Sequence, residues 1–187
     1  MSKSTPFYFL RHGQTQWNKD KIIQGQADSR LNETGRAQAK RAAEILRHEP
    51  IKRIISSPLS RVRDTANAVA ATVNIPVTFD DDLRECHLGD HQGEPYGDWV
   101  PHYWTGNYTP PNGEHFNDFA ARVWGAMQNA IAQGPDTLIV AHGGLWIAAQ
   151  QFITLETPMP QTPNALPMHI TQTQNLWQHR ILGANIA

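Results

Sequence analysis

Phe7-Tyr8-Phe9-Leu10-Arg11-His12-Gly13-Gln14-Thr15 is the stretch on which the fold turns. Four apolar residues in a row, enough for a short buried strand, stop at an Arg-His pair with glycine behind it. Ligands of open α/β sheets bind at the carboxyl ends of strands. A guanidinium and an imidazole at such an end therefore mark an anion site. A second run repeats the pattern: Thr137-Leu138-Ile139-Val140-Ala141 reads as a strand, ends at His142, and is followed by Gly143-Gly144. In a parallel sheet both carboxyl ends lie on one edge, so the two histidines converge on one crevice. The glycines let backbone approach a ligand closely.

Between these runs, strand and helix alternate. Asn32 is placed to cap a helix over Arg36 to His48, which is rich in good helix formers and stops at Glu49-Pro50. Ile51 to Ser56 reads as a second strand, and Ser57-Pro58 opens a helix with Val62, Ala66, Val69, Ala70 and Val73 at helical spacing. Pro76 to Phe79 makes a short third strand. This alternation predicts a parallel sheet in an α/β fold. The rhythm then breaks: Asp80 to Glu114 contains four prolines, Trp99, Tyr103, Trp104 and Tyr108. An irregular insertion of that length in a compact domain predicts a lid or pocket wall. Helical periodicity returns from Phe116 to Ile131, an apolar helix follows from Leu145 to Thr154, and Pro158 to Pro167 form an irregular linker. Met168 to Thr173 and Leu176 to Ile181 read as two late edge strands, one of which could pair between subunits.

The 187 residues predict one domain, residues 1–187, with a pocket-covering insertion at about 80–115. A net charge of −1 gives no global field to recruit nucleic acid or a membrane surface. No run approaches the roughly 20 apolar residues of a bilayer span. Cys86 is the only cysteine, so no intramolecular disulfide can form. Met1 to Pro6 lack the apolar core of a signal peptide. A cytoplasmic location is expected, as a monomer or homodimer.

Two further side chains join the histidines. Arg61 falls in the first turn of its helix, where the helix dipole disfavours a cation. That misfit is informative, because Arg11, Arg61, two imidazoles and a helix N-terminus suit a phosphoryl group. Glu85 follows the third strand and, within reach of the crevice, can give a proton to a leaving oxygen. Asp80, Asp81 and Asp82 are the nearby acids from which it must be told apart.

Arg11-His12-Gly13-Gln14-Thr15-Gln16-Trp17-Asn18 resembles the Arg-His-Gly (RHG) signature of the histidine phosphatase superfamily, in its phosphoglycerate mutase-like branch. Gly25 with Asp28 to Gln38 is similar to the family's loop and first helix, with Arg30-Leu31-Asn32 where Pro-Leu-Thr is usual. Ser56 to Ala66 resembles the segment carrying the second phosphate-binding arginine, Glu85 matches the acid position, and Ala141-His142-Gly143-Gly144 matches the second histidine motif. The resemblance implies a three-layer α/β/α fold with a central, mostly parallel sheet. It implies a phosphatase that hydrolyses a small-molecule phosphomonoester through a phosphohistidine, with no cofactor and no metal. By that carry-over His12 is the nucleophile, Arg11, Arg61 and His142 hold phosphoryl oxygens, and Glu85 is the acid. Asn18, Gln24, Gly25 and Gly143 match substrate-binding positions. Two departures stand where substrate choice is made: Gln14 replaces a common Glu, and Leu88 to Glu94 lack the usual Trp.

The rivals differ in chemistry. A cofactor-dependent phosphoglycerate mutase must retain its phosphate and grip a strongly anionic substrate, yet the insertion holds only Arg84 as a fixed cation. A cysteine phosphatase needs Arg six residues after Cys86, where Gln92 stands, and an aspartyl-phosphate enzyme is disfavoured by Arg84 after the Asp run. His87 and His91 have the four-residue spacing of a zinc pair, but in surroundings too rich in Pro and Gly for a helix. A catalytically silent phosphoryl-binding module is the alternative outside enzymology.

Overall fold

In the computed structural model, residues 5–183 are described, so residues 1–4 and 184–187 of the predicted domain, and most of the leader reading, lie outside them. The frame is a six-stranded sheet in the order β3-β2-β4-β1-β5-β6. Its strands are β1 (Phe7–Arg11), β2 (Arg53–Ser56), β3 (Val77–Phe79), β4 (Thr137–Ala141), β5 (Met168–Thr173) and β6 (Leu176–Ile181). Strand β1 pairs in parallel with β4, β4 with β2, and β2 with β3, whereas β5 is antiparallel to both β1 and β6. Only β5 therefore runs against the rest. It is also an interior strand, so of the two expected late edges only β6 is one. Alternation in a sequence reports which face a side chain takes and says nothing about which strand lies alongside.

The helices are α1 (Gln16–Lys19), α2 (Glu33–Leu46), α3 (Ser60–Val73), α4 (Val100–Trp104), α5 (Phe116–Ala132) and α6 (Gly143–Ala149). Strand parity sends alternate side chains of β1 into two cores. Phe7 and Phe9 pack with α5 and α6 through Phe119, Val123, Met127, Leu145 and Trp146. Tyr8 and Leu10 pack with α2 and α3 through Ala42, Leu46, Val62, Ala66 and Val69. Helices on both faces of one sheet make the three layers. β1 and β4 are buried along nearly their whole length, which explains why they read as unbroken apolar runs.

Several boundaries differ from expectation for local reasons. Helix α3 starts at Ser60, because Leu59 has extended backbone (ψ 138°) and Pro58 stays outside. Helix α6 ends at Ala149, five residues short of the predicted Thr154. The short α1 was not anticipated. It is set by a capping box in which the Thr15 hydroxyl accepts from the Asn18 amide (3.0 Å) and Asn18 Oδ1 accepts from the Thr15 amide (3.1 Å). The 80–115 segment is not structureless: it holds 3₁₀ turns at Asp81–Leu83 and Gly89–His91 besides α4. Its aromatics extend the core on the α5 side of the sheet, with Tyr103 packed edge-on to Phe116 of α5 (ring centroids 5.7 Å) and Trp99 stacked on His91 (4.4 Å).

Candidate active site

Register builds the centre. Arg11 and Ala141 are paired across β1 and β4, and the His12 amide donates to the Ala141 carbonyl (3.0 Å). The residues that follow, His12 and His142, come side by side with ring centroids 5.4 Å apart at 66°. Gly13 packs against the backbone of Gly35, so closely that a Cβ at either position would overlap the other loop. This contact seats the turn after His12 on the start of α2.

His12 is almost completely buried. Its Nδ1 lies 2.7 Å from the Gly13 carbonyl oxygen. A carbonyl can only accept, so Nδ1 carries the hydrogen and the neutral ring presents an unprotonated Nε2. Burial, and then the Arg61 and Arg11 guanidiniums, push the imidazole well below the ordinary 6.5, against the weaker opposite pull of the Gly13 carbonyl. His142 is driven in the same direction by burial, Arg61 and His12. His142 Nε2 lies 2.9 Å from Ser57 Oγ, while its buried Nδ1 has no hydrogen-bond partner within the protein. Both rings are thus held neutral where an ordinary histidine would be charging.

Arg61 is 1% exposed and is held by two carbonyls, donating to Gly25 O (2.7 Å) and Ala27 O (3.0 Å). Burial lowers its pKa to about 10, so it remains a cation at neutral pH. Arg11 donates to Thr162 O (2.7 Å). Neither guanidinium forms an ion pair among the described residues, and the Nε of each is buried without a partner. An uncompensated buried charge costs several kcal/mol. Arg61 buried in this way, with the half-buried Arg11 beside it at the same strand edge, suits an anion.

These groups open onto a cavity of about 420 Å³. Asn18, Gln24, Gly25 and Gly143 line it, as do Arg11, His12, Arg61 and Glu85, and His142 is fully buried beside His12. Gln24 Oε1 accepts from the Thr15 and Ser29 hydroxyls, and Asn18 Oδ1 is taken by Thr15. Both amides are left with N–H groups to offer. Glu85 sits at the start of α6, where its Oε2 accepts from the Gly144 amide (3.1 Å) and its Oε1 from the Cys86 amide (3.1 Å). A Cβ on Gly144 would overlap Oε1, so this approach needs glycine.

Several residues in or around the site were not singled out by the sequence reading. Arg122 on α5 binds Glu114 in a two-pronged pair (2.9 and 2.8 Å) and donates to the carbonyls of Asp82 (2.8 Å) and Arg84 (3.1 Å). It thereby fastens the backbone leading into Glu85. Gln26 Nε2 donates to the Glu85 carbonyl (3.0 Å). Asn164 Nδ2 donates to the His12 carbonyl (2.9 Å), and the Ala165 amide to that of Arg11 (3.0 Å), so the proline-rich linker clasps the signature. Lys21 lines the cavity. None of them carried a signal: Arg122 stands at the edge of the apolar face of α5, where a solvated cation is ordinary, and the others lie in loops. Arg84, expected as the insertion's cation, pairs with Asp81 (2.7 Å) and does not line the cavity.

His87 and His91 are each engaged by protein partners. His91 Nδ1 lies 2.7 Å from Glu94 and its Nε2 2.8 Å from the Tyr108 hydroxyl, while His87 Nδ1 accepts from the Gly89 amide. Among the described residues no group of three or more His, Cys, Asp and Glu is arranged to hold a metal. No helix among them is long and apolar enough to cross a membrane.

Known proteins share this frame. The glucosyl-3-phosphoglycerate phosphatase of Mycobacterium tuberculosis is 36% identical over 172 residues, 82% of this chain and 77% of that protein. A protein named probable phosphoglycerate mutase GpmB, from Salmonella arizonae, is 36% identical over 147 residues, 73% of this chain and 68% of that one. The solved structure of mycobacterial glucosyl-3-phosphoglycerate phosphatase in complex with VO3 superposes with a TM-score of 0.79 at 31% identity, over 95% of this chain and 98% of that one. The model of the histidine phosphatase superfamily (branch 1) matches residues 7–174. With the Arg-His-Gly turn, the paired histidines and the two arginines at one crevice, the chain belongs to the histidine phosphatase superfamily, branch 1.

Proposed function

We propose that the chain is a phosphohydrolase that cleaves a small-molecule phosphomonoester through a phosphohistidine on His12. The observation that carries the proposal is His12 itself: a neutral imidazole with Nδ1–H spent on Gly13, Nε2 free, and two unpaired guanidiniums alongside. His12 Nε2 attacks phosphorus, and the bond from phosphorus to the ester oxygen breaks with its electron pair on that oxygen. Glu85 supplies the proton that makes the alcohol. Water then attacks phosphorus as Glu85 takes its proton, the P–N bond breaks back onto Nε2, and inorganic phosphate leaves. Arg11, Arg61 and His142 Nδ1 hold the phosphoryl oxygens throughout, with Asn18, Gln24 and the backbone of Gly25 and Gly143 as further donors. Preorganised charge of this kind is the main lever in phosphoryl transfer. Arg122 acts as a positioning residue for Glu85.

Residues 80–115 serve in this reading as the cover of the pocket within a single catalytic domain, since Tyr96, Val100 and Trp104 line the cavity from that segment. The glucosyl-3-phosphoglycerate phosphatase relatives favour hydrolysis. The mutase named among the relatives supports the competing reaction in the same site. Beyond Arg11 and Arg61 the cavity has one cation, Lys21, which is few for a pocket that must grip and return a bisphosphate. Incubating the protein with a panel of phosphomonoesters should release inorganic phosphate from at least one of them. Exchange between 3- and 2-phosphoglycerate that depends on bisphosphoglycerate, with little phosphate released, would replace hydrolysis with the mutase reaction. Binding without any turnover would leave a silent phosphoryl-binding module.

A further inference from the structure

The two central histidines are asked for opposite things at the crevice. His12 spends Nδ1–H on the Gly13 carbonyl and offers a bare nitrogen. His142 must offer the reverse, an N–H for a phosphoryl oxygen, and neither of its nitrogens meets a carbonyl among the described residues. Its Nε2 meets the Ser57 hydroxyl at 2.9 Å, and both residues are fully buried. A hydroxyl can donate or accept, so the direction of one O–H decides what His142 presents.

Ser57 is fixed by backbone on both sides. Its amide donates to Val140 O (3.1 Å), and its carbonyl accepts from Ser56 Oγ (2.9 Å). Pro58 behind it disfavours a helical backbone at Ser57. Ser56 pairs with Val140 across β2 and β4, and His142 follows two residues after Val140. Strand register therefore sets hydroxyl against imidazole. One other group reaches Ser57 Oγ among the described residues, the Leu59 amide (3.5 Å), and it is a donor. The hydroxyl hydrogen is left with one acceptor in reach, His142 Nε2. Buried polar groups are seldom left unpaired. With Nε2 accepting, the hydrogen of the neutral ring sits on Nδ1, the nitrogen that is buried with no partner in the protein. The opposite assignment would strand the Ser57 hydrogen and turn a lone pair at Nδ1 toward the phosphoryl oxygens.

We infer that Ser57 is a positioning residue that fixes the tautomer of His142, so that Nδ1 carries the hydrogen given to the phosphoryl group. This rests on the reading of His142 as a phosphoryl donor, whereas the tautomer itself does not depend on turnover. Both histidines then hold the same tautomer and turn different ends of it to the substrate: His12 a bare Nε2, His142 an Nδ1–H.

The test is nitrogen NMR on protein isotope-labelled at its histidines, where proton-bearing and bare ring nitrogens differ in shift. The two rings are assigned from His12→Ala and His142→Ala. In the unmodified chain His142 should show a bare Nε2 and an Nδ1–H. Ser57→Ala should move His142 toward the Nε2–H form and leave His12 unchanged, a selectivity that a general loosening of the fold would not produce. The same variant should lower kcat/KM for phosphate release about 10²-fold, the usual worth of one donor to the reacting group. Ser57→Thr keeps the hydroxyl and should recover most of that loss; if its methyl prevents folding, the Ser57→Ala spectra decide alone. An Nε2–H on His142 in the unmodified chain, or a tautomer that Ser57→Ala leaves unmoved, would overturn the inference. Should no phosphomonoester be hydrolysed, inorganic phosphate is titrated into the labelled protein. A phosphate-induced shift of the His142 Nδ1–H signal that Ser57→Ala abolishes would then keep the role of Ser57 and sink the catalytic reading. No shift at Nδ1 would sink the role of Ser57.

Discussion

His12→Ala should lower phosphate release by about 10⁵-fold or more, with the folded state intact. Loss of a nucleophile is among the most damaging single changes in covalent catalysis, and 10⁵ corresponds to about 7 kcal/mol of barrier. No other side chain can take over. His142 Nε2 is engaged by Ser57, and its Nδ1 is the donor to a phosphoryl oxygen in the proposed mechanism; Cys86 is buried, and burial followed by the Glu85 charge pushes its thiol well above the ordinary range. The variant keeps Arg11 and Arg61, so it should still bind vanadate or phosphate. Circular dichroism and phosphate-release kinetics on the same preparation check both halves. Residual activity within a hundredfold of the unmodified chain would mean that water attacks phosphorus directly.

The second large effect depends on the leaving group. Glu85→Gln should slow hydrolysis of an alkyl phosphate by about 10²- to 10⁴-fold, the usual worth of a placed acid. p-Nitrophenyl phosphate, whose alcohol departs readily as the anion, should lose less than tenfold in the step that forms the phosphoenzyme. Arg122 provides a sharper version of the same experiment. It touches neither cavity nor phosphate, but it ties Asp82, Arg84 and Glu114 together around the Glu85 backbone. Arg122→Ala should therefore copy the Glu85→Gln signature in milder form, about tenfold or more on the alkyl ester and little on p-nitrophenyl phosphate. Arg122→Lys should restore little, because an ammonium cannot make the two-pronged pair with Glu114. Equal losses on both esters would make Arg122 an anchor of the fold with no bearing on proton transfer.

These residues also show which parts of the molecule were legible in the chain. β1 and β4 could be read because strands buried on both faces are written as unbroken apolar runs, and His12 and His142 because each interrupts such a run at its end. Arg61 stood out by violating the helix dipole. What could not be read was adjacency. Met168 to Thr173 announces its alternation, but nothing in it says that β1 lies on one side and β6 on the other. Arg122 and Lys21 look like ordinary solvated cations, and only their partners distinguish them: two carbonyls and a carboxylate for Arg122, a cavity for Lys21. Asn164 comes into contact with His12 from 152 residues away in the sequence, by a loop whose path its prolines stiffen but do not direct. In the 80–115 segment the aromatics were visible, and which of them face the pocket depended on α4, a helix of five residues with little periodic signal.

The central claim is a covalent bond between phosphorus and His12 Nε2. It is tested most directly by mixing the protein with a phosphomonoester, quenching within the first turnover, and mapping the modified peptide by mass spectrometry under alkaline conditions that preserve phosphohistidine. The account predicts one added phosphoryl group on the peptide containing Arg11-His12-Gly13, absent in His12→Ala. Rapid phosphate release with no phosphoryl group on that peptide, or a group on a different residue, would contradict it.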